Sequence, residues 1–379
     1  MTTTLERPVA REQRPVRVAG LLDTTDNGHG MLRVHGGLPS PDDVQVSSAL
    51  IRRHGLRKGD AVEGHCDRPR VLSSVDRVGG LAPGALRGRA RFRDLTPVHP
   101  HERLRLETPQ GGPAPRVVDL LAPVGKGQRG LVVAPPRTGK TVLLQQLAAA
   151  VATNHPEAHL MVVLLDERPE EVTDMRRSVR GEVYASTFDR PAKEHIALAE
   201  LASERAQRLV EQGRDVVVLL DSLTRLCRAH NNAARAGGRT LSGGVDAAAL
   251  TGPKKLFGAA RCAEEGGSLT ILATALVETG SRADDFFFEE LKSTGNMELR
   301  LDRSAAEGRI FPAVDITRSG TRREELLLEP DELAAVRALR RALNARDGQG
   351  ALEALLDKVR RTPDNAAFLR QVRPTVPGA

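Results

Sequence analysis

The chain has 379 residues, of which 40% are hydrophobic, and it carries a net charge of +7 at pH 7. This length and composition predict two domains with at least one large core, and the basic charge favours an anionic partner such as nucleic acid. No apolar run approaches the roughly 18 residues of a membrane-spanning helix, and three widely spaced cysteines form no metal-ligand pattern, so we expect a soluble, cytoplasmic protein without membrane contact.

The N-terminal part of the chain predicts a small β-rich domain behind a loose tail. Residues 1–15 are polar and charged, whereas residues 16–80 contain short apolar segments separated by glycine and proline. This spacing is typical of a five-stranded barrel of the OB-fold type, like that of cold-shock domains. We expect strands at 16–22, 30–34, 43–46, 61–64 and 70–72, with one helix at 48–54.

The remainder of the chain predicts a connector followed by an α/β domain. Residues 81–116 are rich in glycine, proline and arginine, most clearly at 108–115. From residue 117 to residue 379, strands and helices alternate, as they do around a mainly parallel sheet. Candidate strands are 131–133, 159–165, 215–220 and 269–274. Candidate helices include 192–211 and 246–265, and two charged helices, 331–343 and 351–361, are expected to pack outside the sheet.

A phosphate-binding loop is predicted at Ala134-Pro-Pro-Arg-Thr-Gly-Lys-Thr141, between an apolar strand and a helix. Backbone N–H groups of such a loop cradle phosphate oxygens, a lysine adds positive charge and a hydroxyl binds Mg²⁺. Lys140 and Thr141 supply these two side chains. The leading glycine of the pattern is Ala134 here, and a chance Gly-Lys-Thr in a basic loop is the alternative. The flanking strand and helix favour a site for a nucleoside triphosphate.

Two acidic residues that follow apolar strands are predicted to complete a hydrolysis site. Asp221 is expected to hold the Mg²⁺ shell opposite Thr141, although it could instead cap the following turn. Glu167 is expected to orient and polarise the attacking water, with Arg168 beside it to contact the γ-phosphate. An acid-rich helix N-terminus is the alternative for Glu167, but Pro169 marks the first helical turn beyond it.

A second glycine-bracketed segment lies just before the strand that leads into the phosphate loop. Three donor side chains on flexible backbone suit the rim of a nucleotide, and a plain turn is equally compatible with the pattern. The residues of this segment are Gly125, Lys126, Gly127, Gln128, Arg129 and Gly130.

Seven segments together resemble the Rho family of transcription termination factors. Besides the phosphate loop they are Leu164-Leu-Asp-Glu-Arg-Pro-Glu-Glu-Val-Thr173, Leu219-Leu-Asp-Ser-Leu-Thr-Arg-Leu226, Ser242-Gly-Gly-Val-Asp246, Gly258-Ala-Ala-Arg261, Thr294-Gly-Asn-Met-Glu298 and Arg318-Ser-Gly-Thr-Arg-Arg-Glu-Glu325. The resemblance extends from about residue 16 to the C-terminus. It implies a homohexameric ring of RecA-like P-loop ATPase domains, each preceded by an RNA-binding barrel, that uses ATP and Mg²⁺ to move along single-stranded RNA.

The resemblance also implies roles for individual residues of the ATPase domain. It makes Glu167 the water-activating residue and Lys140, Thr141 and Asp221 the phosphate and Mg²⁺ set. It makes Arg322 an arginine finger that reaches into the neighbouring subunit's site, which would tie hydrolysis to subunit contact. Arg309 would be a second arginine at the subunit interface. The nucleotide would further contact Arg137, Thr138, Gly139, Val142 and Phe311, with arginine at position 137 where the family commonly has lysine.

Two segments match the loops that line the central channel in this family. Residues 237–244 correspond to the first RNA loop and residues 279–284 to the second. Arg239, Thr240 and Arg282 would contact RNA there, because a channel that follows the phosphate backbone requires positive charge. Mobile surface loops with incidental arginines are the alternative.

The barrel departs from the family at its primary RNA site. The family carries phenylalanines within a Gly-x-Gly-x-Leu-Arg pattern and a tyrosine after Asp-Asp. No aromatic residue occurs before Phe92, although such sites depend on aromatic side chains that stack bases. We expect a weakened site that relies on phosphate contacts, or a slightly different barrel that selects cytosine through polar contacts. The matching residues here are Gly28, His29, Gly30, Met31, Leu32, Arg33, Asp43, Val44 and Gln45.

Three function classes remain open at this point. The leading hypothesis is an RNA-dependent ATPase and 5′-to-3′ helicase that releases the transcript from RNA polymerase. The second is a RecA-like ATPase that acts on another polymer, such as single-stranded DNA or a secreted protein. The third is a divergent paralogue that joins rings and regulates termination.

Overall fold

The chain folds as two units that are divided after Arg89. The computed structural model describes residues 15–25, 27–234, 240–345 and 348–372. The first unit corresponds to the predicted barrel together with the beginning of the predicted connector. The second unit contains the phosphate loop and both acidic residues of the predicted hydrolysis site.

The first unit is a five-stranded antiparallel sheet in the order β3-β2-β1-β4-β5. Its core is formed by side chains that alternate along the strands, among them Leu22, Leu32, Val44 and Val62, all 3% exposed or less. The elements are β1 Val16–Thr24, β2 Gly30–Arg33, β3 Val44–Val46, α1 Ser48–His54, β4 Ala61–Cys66 and β5 Ser74–Val78.

The fifth strand lies later in the chain than the predicted 70–72. Arg70 has a positive φ of 58°, and the backbone N–H of Val71 donates to the carbonyl of Arg68, so these residues form a turn. Leu72 fills the core from this turn without being part of a strand. The prediction of a strand here was wrong because an apolar residue can be buried by a turn as well as by a strand.

The predicted connector is structured at both of its ends. A 3₁₀ turn at Pro83–Leu86 places Leu86 in the core of the first unit, and Arg89 forms a buried ion pair with Asp60 at 2.6 Å. In the second unit, residues 113–116 begin a helix rather than continuing a linker. Gly112, with φ 69°, turns the chain into that helix, and Pro113 occupies its first turn, where no backbone N–H is needed.

The second unit contains the remaining strands and helices. Its strands are β6 Pro97–Val98, β7 Arg103–Leu104, β8 Val124–Gly125, β9 Arg129–Ala134, β10 His159–Glu167, β11 Glu182–Thr187, β12 Asp215–Asp221, β13 Thr240–Leu241, β14 Val245–Asp246, β15 Arg261–Ala263, β16 Ser268–Leu276, β17 Met297–Arg300 and β18 Gly320–Thr321. Its helices are α2 Pro113–Leu121, α3 Lys140–Asn154, α4 Pro169–Ser178, α5 Ala192–Val210, α6 Leu223–Ala233, α7 Thr251–Gly258, α8 Arg282–Lys292, α9 Arg303–Glu307, α10 Pro330–Asn344, α11 Gly348–Arg360 and α12 Asn365–Val372.

The central sheet of this unit has the strand order β11-β10-β12-β16-β9-β17-β18. The first six strands pair in parallel, and β18 pairs antiparallel with β17. The expectation of a mainly parallel sheet is therefore confirmed. Because parallel strands end at one edge, the residues that follow β9, β10 and β12 are brought to the same side of the sheet.

The predicted helix at 246–265 is shorter and is followed by a strand. Helix α7 ends at Gly258, and β15 then pairs antiparallel with both β16 and β6. Gly266 and Gly267, both with positive φ, form the tight turn between β15 and β16. Among the described residues, no helix has both the length and the apolar character that crossing a bilayer requires.

Candidate active site

The phosphate loop joins β9 to α3, as the sequence predicted. Gly139, with φ 84°, lets the backbone turn directly into α3, whose first residue is Lys140. The Thr138 hydroxyl is buried and donates to the Pro135 carbonyl at 2.7 Å, which braces the loop from within. Arg137 is exposed and also has a positive φ, of 67°. The loop therefore presents the start of a helix and its N–H groups at the carboxyl edge of the sheet.

Lys140 meets two buried carboxylates at this edge. Its Nζ lies 3.3 Å from Glu167 Oε1 and forms a short contact with Asp221 Oδ1. Glu167 is the last residue of β10 and Asp221 the last of β12, and both are at most 3% exposed. The three residues that the sequence selected separately are thus brought together by the strand order.

The position of Glu167 depends on an irregularity at the end of β10. The register between β10 and β11 shifts between Leu165 and Glu167, and Asp166 has a φ of 58°. Burial raises the pKa of the Glu167 carboxyl above its usual range, while the positive charge of Lys140 acts in the opposite direction. A raised pKa in a cleft beside a phosphate loop is typical of a group that accepts a proton during a reaction.

Two further residues hold the carboxylates, and the sequence analysis missed both. Arg225, in the first turn of α6, lies 3.3 Å from both Asp166 and Glu167. The Thr274 hydroxyl of β16 donates to Asp221 Oδ1 at 2.8 Å. The spacing of Arg225, four residues after Asp221, was the available signal, whereas nothing near Thr274 in the sequence indicated its partner.

The oxygen atoms present fit a magnesium ion. The Thr141 hydroxyl, at the start of α3, donates to Glu171 Oε2 at 3.2 Å, and the Asp221 carboxylate lies at the same edge of the sheet. Within the described ranges there is no group of three or more histidine, cysteine or acidic residues that could hold a metal. Mg²⁺ is usually held by one or two protein oxygens together with phosphate oxygens and water, so Thr141 and Asp221 are sufficient.

A pocket of about 440 Å³ opens beside the phosphate loop. Phe311 is 40% exposed and Val142 is 57% exposed, and both line this pocket together with Thr138 and Gly139. Its volume lies in the range of ordinary ligand pockets, and its walls are mainly apolar. Val142 and Phe311, which the resemblance assigns to nucleotide contact, are therefore at one site next to the phosphate-binding backbone.

The segment from Gly125 to Gly130 does not reach the chain's own phosphate loop. It lies at the amino end of β9, whereas the phosphate loop follows the carboxyl end of the same strand. Lys126 binds Asp215 at 2.8 Å and also contacts Glu102. A Cβ at Gly127 would lie 2.3 Å from the backbone nitrogen of Cys262, so close packing requires glycine there. The segment forms a turn before β9, and nucleotide binding by its residues stays a prediction.

Arg322 also lies far from the phosphate loop of its own chain. Thr321 is in register with Met297, which is in register with Gly130 near the amino end of β9. The loop begins beyond Ala134, about 13 Å further along the strand, and β18 is two strand spacings, about 10 Å, to the side. The Arg322 side chain is exposed, and no bond from its guanidinium occurs among the described residues.

The exposed Arg309, with φ 60°, likewise forms no side-chain bond in those ranges. Arg168 is exposed, with Glu171 at 3.9 Å.

The two predicted channel loops lie against each other where they are described. Arg239 falls outside the described residues, and of Thr240 only the backbone is placed, in β13. A Cβ at Gly243 would lie 3.0 Å from the carbonyl carbon of Arg282, whose side chain is exposed at the start of α8. Asp284, fully buried, accepts hydrogen bonds from Thr279 and Arg228 and so ties the second loop to α6.

The barrel divides the predicted primary-site residues into three groups. Leu32, Val44 and the backbone of Gly30 belong to the buried face, and Gly28 forms a turn with φ 75°. Arg33 donates to Asp23 and Asp43, each at 2.6 Å, so this arginine braces the barrel and is not a free phosphate ligand. His29 and Gln45 are exposed, and Met31 is half-buried opposite Gln45. RNA binding by this set stays a prediction, and within it His29 and Gln45 are the exposed side chains.

Comparisons with known proteins agree with the two units. A sequence model described as the Rho termination factor RNA-binding domain matches residues 18–95. A second, described as the nucleotide-binding domain of the ATP synthase alpha/beta family, matches residues 114–321.

Curated relatives match over nearly the whole chain. Transcription termination factor Rho of Streptomyces coelicolor is 72% identical, over 100% of this chain and 91% of the relative. The protein of the same name from Streptosporangium roseum is 60% identical, over 99% of each chain. That of Streptomyces lividans is 59% identical over 96% of this chain, which spans only 52% of that longer relative.

Solved structures show a related fold at low sequence identity. An ATPase from the type III secretion system of pathogenic bacteria aligns with a TM-score of 0.62 and 22% identity, over 74% of this chain and 87% of that one. The assembled ATPase EscN of enteropathogenic E. coli aligns with a TM-score of 0.62 and 21% identity, over 80% and 77%. At these identities the likeness establishes the ATPase fold alone.

Proposed function

The chain belongs to the Rho family of transcription termination factors, and from this premise we propose that it is an RNA-dependent ATPase and 5′-to-3′ RNA translocase. It would release transcripts from RNA polymerase. The observation that carries the proposal is the meeting of Lys140, Glu167 and Asp221 at the carboxyl edge of one parallel sheet. A phosphate loop with two adjacent buried carboxylates is the arrangement that hydrolysis of a nucleoside triphosphate requires.

ATP would occupy the pocket lined by Phe311 and Val142, with its phosphates on the loop before α3. Lys140, which now contacts both carboxylates, would contact phosphate oxygens instead. Thr141 and Asp221 would hold Mg²⁺, which supplies charge neutralisation on the phosphates when bound. Arg137 and Arg168 are exposed beside this site and could contact the outer phosphates.

Glu167 would act as the general base that orients and polarises the attacking water. Burial raises its pKa, so the group is a better proton acceptor than an exposed carboxylate. Arg225 and Lys140 both contact Oε1 of this carboxylate, each at 3.3 Å. Release of Lys140 to the phosphates would leave Oε1 with Arg225 alone.

Arg322 would complete the site of a neighbouring subunit. Its distance from the loop of its own chain supports a role in trans, because an arginine side chain cannot span the gap. A finger in trans typically raises the hydrolysis rate by roughly 10³- to 10⁵-fold. Arg309 would also face the neighbour. A closed ring of identical chains satisfies this requirement at every site, which supports the homohexamer.

RNA would bind at two places. The channel loops would track its phosphate backbone through Arg239, Thr240 and Arg282. On the barrel, the exposed His29 and Gln45 and the half-buried Met31 would contact bases without the aromatic stacking that usually strengthens such sites.

The central experiment compares wild type with Glu167→Gln in ATP hydrolysis with RNA, with single-stranded DNA and without polymer. Loss of the base is expected to lower kcat by roughly 100-fold or more with little change in nucleotide affinity. Glu170→Gln is the matched control, because Glu170 is an exposed carboxylate three residues along the chain. Equal hydrolysis by wild type and Glu167→Gln would contradict the assignment of the base.

The same assays separate the alternatives. Stimulation by DNA but not RNA would favour a RecA-like ATPase that acts on another polymer. RNA-stimulated hydrolysis without release of transcripts from a stalled polymerase complex would favour a paralogue that regulates termination. The segment that begins at Asp166 and the match of residues 18–95 to a Rho RNA-binding domain favour RNA.

A further inference from the structure

Asn296 occupies the junction between three elements of the second unit. It lies immediately before β17, beside the amino end of β9 and beside the residue that follows β18. The sequence analysis singled out its segment, 294–298, for resemblance only and gave it no role. The glycine-rich segment that begins at Gly125 was also left without a role once the structure placed it away from the phosphate loop.

The first set of contacts joins Asn296 to β9. Its backbone N–H donates to the Arg129 carbonyl at 2.9 Å, and its Oδ1 accepts from the Arg129 N–H at 2.9 Å. The same Oδ1 accepts from Gln128 Nε2 at 2.7 Å. Because a backbone N–H can only donate, the orientation of the amide is determined by these contacts. Asn296 therefore pairs with β9 as a strand residue would, with its side chain completing the ladder.

The second set of contacts joins the same residue to Arg322. The Asn296 carbonyl accepts from the Arg322 N–H at 2.9 Å and from Gln128 Nε2 at 3.2 Å. The Thr321 hydroxyl adds a further anchor, donating to the Pro123 carbonyl at 2.7 Å. The backbone of Arg322 is thus held directly, while its guanidinium remains exposed.

We propose that Asn296 is a positioning residue that fixes Arg322 against the strand carrying the chain's own phosphate loop. This role rests on the proposed function, in which Arg322 serves the neighbouring subunit's site. Gln128 supports the assembly by donating to both oxygens of Asn296. The glycine-rich segment then has a function, because it places Gln128 and Arg129 where they hydrogen-bond to Asn296.

The consequence is a mechanical link between two nucleotide sites. Strand β9 leads into the phosphate loop of the chain's own site. Asn296 attaches the amino end of that strand to Arg322 of the same chain, which would serve the neighbouring subunit's site. Loss of the Asn296 side chain leaves the Arg322 N–H bond to the carbonyl in place but removes two of the contacts that position this carbonyl. A finger displaced by about 1 Å can lower a reaction rate by up to roughly 100-fold.

The test is a double-mutant cycle on the full chain, with ATP hydrolysis measured at saturating RNA. Asn296→Ala is expected to lower kcat by roughly 10- to 100-fold with the KM for ATP changed by less than about twofold. Arg322→Ala should lower kcat further. Adding Asn296→Ala to Arg322→Ala should then have little further effect, because there is no finger left to position.

Three controls separate positioning from general damage. Asn296→Asp keeps the Oδ1 acceptor for both donors and should retain most of the activity. Asn344→Ala removes an exposed asparagine at the end of α10 and should behave as wild type. Gln128→Met removes only one donor and should give a smaller loss of kcat than Asn296→Ala. In the Arg322→Ala background, Gln128→Met should cause no further loss. This last variant keeps the test decisive if Asn296→Ala does not fold.

Different failures have different meanings. Equal losses from Asn296→Ala in the wild-type and Arg322→Ala backgrounds would show a structural role and overturn the inference. If Asn296→Ala turns over normally while Arg322→Ala turns over slowly, the inference about Asn296 is also overturned. The assignment of Arg322 as the finger would still hold. Normal turnover by Arg322→Ala would refute the finger itself, and the inference with it.

Discussion

Replacing Met31 with phenylalanine is expected to tighten the binding of single-stranded RNA. Met31 is half-buried on β2, in register with Gln45 of β3 and Asp23 of β1. The next residue, Leu32, is fully buried, so the strand alternates and Met31 belongs to the opposite, outer face. A phenyl ring there would offer a flat face for a base beside the exposed His29.

The size of the effect follows from base stacking. One stacked base contributes about 1–3 kcal/mol, and each 1.4 kcal/mol is about tenfold in affinity, so the Kd should fall roughly 5- to 150-fold. The dependence of the Kd on salt should not change, because the substitution adds no phosphate contact. Gln45→Tyr, directly across the strand pair, is expected to add to this gain.

The assay is fluorescence anisotropy of a labelled oligopyrimidine RNA with the full chain at fixed salt. Val16→Phe is the matched control, since it adds the same ring at an exposed position at the start of β1, opposite Cys66. An unchanged Kd for Met31→Phe would refute the reasoning. A gain of the same size from Val16→Phe would refute it too, because the effect would then be non-specific.

Two further outcomes are expected at the nucleotide site. Phe311→Ala should raise the KM for ATP roughly tenfold with a smaller change in kcat, because the ring forms one wall of the pocket beside Gly139; an unchanged KM would place adenine elsewhere. As the pH is lowered, turnover should begin to fall at a higher pH than the usual pKa of a glutamate would give. The reason is that the pKa of Glu167 is raised, so the base becomes protonated earlier as the pH decreases. A pH profile of kcat/KM measures this limb, and its persistence in Glu167→Gln would assign it to another group.

The spatial meeting of the residues proposed for hydrolysis was largely predictable from the sequence because each part of the candidate site is local. A phosphate loop is a continuous segment, and a carboxylate at the end of an apolar strand can be identified without knowing its neighbours. The parallel sheet then brings Lys140, Glu167 and Asp221 together without further information. Residues that act through partners distant in the chain were not predictable: Thr274 meets Asp221 from 53 positions away, and Asn296 meets Arg129 from 167.

The barrel shows why a positive charge in a sequence is weak evidence of a nucleic-acid contact. Arg33 belongs to the segment that resembles the family's RNA site, and it looks like a phosphate ligand. In the structure two aspartates, each ten residues away, bind its guanidinium, and Asp43 is 4% exposed. Opening this pair would leave the buried Asp43 carboxylate without its cationic partner, which is unfavourable. The separation of ten residues between Arg33 and each aspartate is set by the turns between the strands. The composition of the segment does not reveal where these turns bring residues together.

The same strand order that builds the candidate hydrolysis site also places Arg322 far from it within one chain. Glu167 ends β10 and Arg322 follows β18, five strand spacings away, or about 24 Å across the sheet. Such a distance cannot be closed by a rotamer change or by movement of a loop end. Any transition-state charge that Arg322 neutralises must therefore belong to another copy of the chain. In the proposed mechanism, hydrolysis at full rate then requires assembly. The hydrogen bonds of Asn296 let a subunit's own phosphate-loop strand determine the position of the finger that it supplies to the next subunit's site.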